Sequence, residues 1–164
     1  MSLPEWNYLH GKPQHSARFK QQPEDFVVIE DMGFEPDGAG EHILVYVRKR
    51  GENTAWVAGL LAKAAGVQRS AVTWGGLKDR NAVTEQWFGI HVPGKDEPDL
   101  SSIESDSIQI LKRSRHSRKL RTGTLKGNSF TILLRELAES PDLEARLAAI
   151  GERGVPNYFG DQRF

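Results

Sequence analysis

The chain has 164 residues, 38% apolar and 27% charged, enough for one domain with a real core and not a composition for disorder. It has no cysteine and no run near the roughly 20 apolar residues of a membrane-spanning helix, which excludes disulfides, thiol catalysis, cysteine-ligated zinc and a helical span. Net charge is zero but unevenly spread: residues 107–135 hold eight Lys and Arg and no acid, so this window carries +8 and the remainder −8, the pattern of a polyanion-binding face.

Residues 1–24 read as irregular. Asp25 to Met32 reads as a strand with Phe26, Val28 and Glu30 on one face. Gly38 and Gly40 sit among Glu35, Asp37 and Glu41, which would repel phosphate, so the stretch 33–40 reads as a hairpin loop. A second strand follows, His42 to Arg50, in which Ile43, Val45 and Val47 alternate with Leu44, Tyr46 and Arg48. Asn53 or Thr54 caps a helix to about Ala65, stopped by Gly66; Trp56, Leu60 and Ala64 share a face, with Val57 and Leu61 beside them. Ala71 to Gly75 is a short strand and Thr84 to Val92 a longer one, followed by an acidic surface linker over 93–105. Ile108 to Arg113 and Ser129 to Leu137 read as further strands. Ser140 caps a last helix with Pro141 at its first position, running to about Arg153 before Gly154, with Leu143, Leu147 and Ile150 as its apolar face. The order β-β-α-β-β-β-β-α predicts an α+β fold: a mixed, largely antiparallel sheet with helices packed on one face.

The segment Gly75-Gly76-Leu77-Lys78-Asp79-Arg80, continuing to Glu85-Gln86, sets one carboxylate in a glycine-led turn between two cations. Such a turn is more often structural than catalytic, the aspartate bonding a nearby N–H. A catalytic Asp79 needs a cation to offset partial burial, and Lys78, Arg80 or a residue from elsewhere can serve. The basic stretch holds Arg113, Arg115, Arg118, Lys119, Arg121 and Lys126, with Gly123 and Gly127 and few large apolar residues, a composition suited to phosphate contacts. Asn128 can read a base edge; Phe130 fits base stacking or plain strand core about equally well. The histidines form no HExxH pattern and no metal site is expected; no phosphate loop, dinucleotide fingerprint or nucleophile elbow is present.

Several segments in combination resemble the TruD family of transfer-RNA pseudouridine synthases. They are Lys20-Gln21-Gln22-Pro23-Glu24-Asp25-Phe26-Val27-Val28, Gly40-Glu41-His42, Gly51-Glu52-Asn53-Thr54, the Asp79 segment, Arg121 through Phe130, and Pro156-Asn157-Tyr158-Phe159-Gly160. The resemblance implies isomerisation of uridine to pseudouridine, typically at position 13 in the D arm of transfer RNA, with no metal or organic cofactor. A cytoplasmic location is expected from the polar N-terminus, which lacks a basic-then-apolar signal pattern, and a monomer is expected at full length. It implies that Asp79 is the catalytic aspartate, Lys20 its basic partner, Phe26 and Asn128 substrate-contacting residues, and Phe130 the aromatic packed on the target base. The basic residues named above would take the RNA backbone. Two other readings stay open: a non-catalytic RNA-binding module, and a hydrolase pairing Asp79 with Glu85. Family members are longer, their catalytic domain interrupted by an inserted one. Residues 1–164 are therefore expected to be the N-terminal portion of that domain, without the inserted domain or the C-terminal part, and to be inactive or nearly so alone.

Overall fold

The computed structural model describes residues 7–12, 16–138 and 141–158. They form two units, residues 19–134 and the described residues of 1–18 and 135–164. The larger unit is built on a six-stranded sheet of β1 (Phe26–Asp31), β2 (His42–Arg50), β3 (Val72–Trp74), β4 (Val83–His91), β5 (Ile108–His116) and β6 (Gly127–Ile132). The spatial order is β5-β2-β4-β1-β6, with β3 also paired to β4. Every pairing is antiparallel except β1 with β4, so the sheet is mixed and largely antiparallel, as its element order implies.

The stretch 33–40 is not a hairpin loop. Strand β4 lies between β1 and β2, and the stretch crosses over it. Glycines report that a chain bends, whereas strand pairing is decided by burial. Ile43 through Val47 are buried on both faces of the sheet, which suits β2 to an interior place between β4 and β5. Full pairing with β2 also carries β5 to His116, three residues past its expected end, since His42 registers with His116. Strand β6 begins two residues early, at Gly127, and ends at Ile132, where the amide of Leu133 turns to the carbonyl of Asp25.

Helix α1 (Thr54–Ala64) starts at Asn53, whose side chain accepts from the Ala55 amide at 2.8 Å, and gives way to Gly66 at φ +60°. Val57, Ala58, Leu61 and Ala62 pack on Ile43, Val45, Val47, Phe88 and Ile90. Full burial of a Val, Leu, Ile or Phe side chain in such a core contributes about 1.5–3 kcal/mol. Of the expected face, Val57 and Leu61 are buried and Leu60 and Ala64 pack against the same core, but Trp56 is 58% exposed; the small Ala58 and Ala62 let the helix approach the sheet. The acidic linker is not all surface either, because Leu100 and Ile103 close the edge of this core.

Strands β5 and β6 are consecutive in sequence but lie at opposite edges of the sheet, so residues 117–126 must cross it. They cross the face opposite α1, where Leu120 packs with Leu44, Met32 and Trp87. Gly89 makes room: a Cβ there would lie 3.2 Å from that of Leu120. Further along, the Gly123 amide bonds the Gly75 carbonyl at 2.8 Å and the Lys126 amide bonds that of Asp31 at 3.0 Å.

In the smaller unit, Arg18 and Arg135 exchange backbone hydrogen bonds, and α2 (Leu143–Arg153) follows Asp142 and ends at Gly154. Helix α2 begins two residues after Pro141; Ser140 lies outside the described residues. Leu143, Leu147 and Ile150 line a cleft with Tyr8, Leu9 and Tyr158.

Gly40 is at φ +101°, and a Cβ on it would meet the Ser117 Cα at 2.6 Å and the His116 carbonyl oxygen at 2.7 Å. Gly40→Ala is expected to destabilise the fold by more than about 1 kcal/mol, read as a lowered urea midpoint at unchanged slope.

Candidate active site

The loop 75–82 leaves β3 and returns as β4, and its backbone is held on several sides. The Thr54 hydroxyl accepts from the Lys78 amide at 3.1 Å and donates to Gln86 Oε1 at 2.9 Å. Gln86 Nε2 donates to the Gly76 carbonyl at 3.3 Å. The Gly51 amide bonds the carbonyl of Ala82, and Lys49 Nζ bonds that of Asp79 at 3.1 Å. Gly75 lies under Leu125, where a Cβ would come within 2.4 Å of its Cδ2. A side chain at this position would need the Leu125 side chain to move. With the main chain so fixed, the Asp79 carboxylate projects outward, its side chain 54% exposed and within reach of a ligand.

Of the cations open to Asp79, the two flanking ones are engaged elsewhere. Lys78 turns inward, its Nζ 2.6 Å from Glu30 Oε2, with both side chains nearly inaccessible. The contact is an ion pair outside hydrogen-bonding geometry, so charge alone compensates that oxygen. Glu30 Oε1 accepts from the Trp87 amide at 3.0 Å. Arg80 donates to the Gly51 carbonyl at 3.3 Å. The cation on Asp79 comes from elsewhere: Lys20 Nζ lies 3.2 Å from Oδ1, the pairing expected of Lys20.

Lys20 Nζ also sits 3.8 Å from the Phe26 ring centroid. Phe26 is buried, with Phe19 edge-on at 5.5 Å and Phe130 tilted at 5.9 Å. Phe130 is 58% exposed, so it is not strand core and one side of its ring is available. It stands opposite Val28, and Asn128 opposite Glu30, so Asn128, Phe130, Phe26 and Glu30 share one face of the β1–β6 pair. Asp79, Lys20, Phe26 and Phe130 thus form one cluster. Asn128 lies in the same row of β6, exposed, two residues before Phe130.

The expected phosphate-binding cations separate into two groups. Arg113 pairs with Glu97 at 3.2 Å, and Arg115 donates to the carbonyls of Gly40 and Lys95. Both belong to β5, the edge strand far from β6. Arg118, Lys119 and Arg121 instead lie exposed in the crossing loop and line a cleft of about 560 Å³ with Phe34 and His116. Lys126 lies where that loop enters β6, 3.5 Å from Asp31. The start of the loop is pinned by Asp37, which accepts from the Ser117 amide and hydroxyl; the hydroxyl bond holds the Asp37 carboxyl down to about 2.

Sequence reasoning assigned no site role to Lys49, Thr54, Gln86, Glu30 or Phe19. Lys49 had a legible signal, since strand alternation puts it on the core face with Ile43, Val45 and Val47. Glu85, the partner in the hydrolase reading, faces away: Arg48 and Tyr46 hold it at 2.6 and 3.0 Å on the sheet face opposite Gln86. Among the described residues no three His, Asp or Glu side chains are grouped to hold a metal ion, and no helix is long and apolar enough to cross a membrane.

Lys20 adopts φ +53°, a left-handed conformation that costs an L-residue about 1–2 kcal/mol. Its exposed ion pair with Asp79 contributes at most about 1 kcal/mol. Lys20→Gly is therefore expected to leave folding stability within about 1 kcal/mol of wild type in urea titration. A loss much beyond that would make Lys20 a structural residue.

A family model described as tRNA pseudouridine synthase D (TruD) matches residues 5–164. The chain is 68% identical over 162 residues to the tRNA pseudouridine synthase D of Aeromonas salmonicida (strain A449), covering 99% of this chain and 46% of that one. To the protein of the same description from Aeromonas hydrophila it is 69% identical over 157 residues, covering 96% and 45%. The fold is similar to that of a TruD crystal structure from Methanosarcina mazei, with TM-score 0.79, 28% identity, and coverage of 96% of this chain and 37% of that one. The chain spans less than half the length of the curated relatives it matches. The match runs through the Asp79 loop, the Lys20–Phe26 segment and the crossing loop alike, and the chain belongs to the TruD family.

Proposed function

We propose that these residues supply the Asp79-bearing part, the N-terminal portion, of a catalytic domain that isomerises uridine to pseudouridine in the D arm of transfer RNA. The observation that carries the reading is the Asp79 carboxylate, exposed on a rigid loop and paired at 3.2 Å with Lys20 beside the rings of Phe26 and Phe130. The reaction breaks the bond from N1 of uracil to C1′ of the ribose, turns the base, and joins C5 to C1′. The proton on C5 is released and one is gained at N1, so no oxidant, reductant or group donor enters. A base inside a stacked helix cannot turn, so it must be flipped out, and an exposed aromatic face offsets the lost stacking. Phe130 supplies that face, and Asn128 in the same row supplies an amide for a base edge. Asp79 acts on the sugar, as nucleophile at C1′ or as base on a sugar proton; either role demands a carboxylate held at contact distance. The crossing loop brings Arg118, Lys119 and Arg121 to the RNA backbone.

Two experiments test this, in a full-length TruD chain carrying these residues. Asp79→Asn should lower tritium release from C5-labelled uridine in transfer RNA by at least about a hundredfold while leaving RNA affinity unchanged. Tritium release at the wild-type rate would remove Asp79 from the chemistry and leave an RNA-binding module; free uracil among the products would indicate hydrolysis. Neutralising Arg118, Lys119 or Arg121 to Gln should each lower the log–log salt dependence of RNA binding by about 1. Arg113→Gln and Arg115→Gln should leave it unchanged, because protein partners already occupy those guanidinium groups.

A further inference from the structure

Lys49 is a cation in the core. Its residue is 1% exposed, on the face of β2 that carries Ile43, Val45 and Val47 beneath α1. An ammonium in such a place loses its hydration and is tolerated only when its hydrogens are bonded. Its two hydrogen bonds go to main-chain oxygens: the Glu52 carbonyl at 2.8 Å and the Asp79 carbonyl at 3.1 Å. It joins the turn entering α1 to the loop that carries the catalytic carboxylate. Thr54, also 1% exposed, makes the second tie between the same two pieces of chain, through the Lys78 amide and through Gln86.

We propose that Lys49 and Thr54 are positioning residues for the reaction, a buried clamp that fixes the backbone of Lys78 and Asp79 so that the exposed carboxylate stands at one place over the substrate sugar. The inference rests on the reading of Asp79 as catalytic. Two features argue against a merely structural role. A buried lysine is a poor stabiliser, since an apolar side chain of like volume usually does as well. And one of the carbonyls it holds belongs to Asp79 itself. Asp79 and Glu52 draw the charge of Lys49 toward them, whereas Lys78 opposes it and burial opposes it most, lowering its pKa to about 8.

That cost gives a readout independent of activity. Between about 8 and 10.5 the folded chain has released the Lys49 proton while the unfolded chain still holds it. Wild-type stability should therefore gain with pH through this window relative to Lys49→Met. No such gain would mean that burial costs the Lys49 charge nothing, which would make Lys49 an ordinary stabiliser of the fold and overturn the inference.

The decisive test uses a full-length TruD chain carrying these residues, with Lys49→Met, Thr54→Val and Asp79→Asn compared. Lys49→Met and Thr54→Val should each lower kcat by about tenfold to a hundredfold, keep RNA affinity within about twofold, and shift Tm by no more than a few degrees. Hydrogen exchange of the peptide spanning residues 76–80 should quicken in both. If Asp79→Asn is inactive while both clamp variants fold and retain wild-type kcat, the clamp is wrong and the catalytic reading stands. If Asp79→Asn is active, that reading fails and the clamp falls with it. Loss of Tm and RNA affinity in step with kcat would also overturn the proposal, assigning both residues to the fold. Should Lys49→Met not fold, Thr54→Val decides by the same criteria.

Discussion

Strand β4 divides one of its edges between two partners. Strand β1 pairs with it from Val83 to Glu85 and β3 from Phe88 to Ile90, leaving Gln86 and Trp87 without a strand on that side. A gap in the middle of a sheet exposes backbone polar groups in the core, where an unpaired N–H is costly. Glu30 closes it by accepting from the Trp87 amide, and Lys78 balances the charge of Glu30. The Gln86 side chain, at the same gap, bonds the Gly76 carbonyl and the Thr54 hydroxyl. The loop bearing Asp79 leaves the sheet at this seam, so the groups that repair the sheet also hold the loop.

A second constraint is topological. Because β5 and β6 sit at opposite edges, the chain between them has to cross a whole face of the sheet. Crossing requires apolar anchors and close approach, which Leu120 over Gly89 and Leu125 over Gly75 provide. The remaining side chains of the crossing segment have no interior to occupy, and the long ones among them are Arg118, Lys119, Arg121 and Lys126. The acid-free composition of this stretch is thus joined to a route that ends beside the Asp79 loop, through the bond from Gly123 to Gly75, and at β6, which carries Asn128 and Phe130. Arg113 and Arg115 precede the crossing and are spent on the β5 edge.

Local patterns were legible in the sequence and long-range partners were not. The bounds of β2 follow from its alternation, and the start and stop of α1 follow from Asn53 and Gly66. The apparent hairpin at 33–40 failed because a later strand enters between β1 and β2, which no feature of the turn records. Trp56 misled because its helical spacing with Leu60 and Ala64 put it on an apolar face, whereas the contact was set by Val57, Ala58, Leu61 and Ala62. Resemblance carried the site assignments: Asp79, Lys20, Phe26 and Phe130 converge, although Lys20 and Phe130 are far apart in the chain. Charge read along the chain left Lys78, Arg80 or a distant residue open as the partner of Asp79; the two flanking cations are instead held by Glu30 and by the Gly51 carbonyl.

The distribution of unfavourable terms points the same way as the contacts. Lys20 is in a left-handed conformation, Lys49 is a desolvated cation, and Glu30 and Lys78 are a buried ion pair. None of these is an economical way to stabilise a sheet, since apolar residues of like volume usually serve as well. All four residues adjoin a single loop. Marginally stable domains tolerate such terms only where the rest of the core offsets them, and the cluster of Ile43, Val45, Val47, Leu61, Phe88 and Ile90 between α1 and the sheet is such a core. A structural turn would need none of this support. On the proposed reading, a carboxylate that must stand still while a base is turned beside it needs a rigid main chain and a free side chain, and the polar groups under Asp79 supply the first without covering the second.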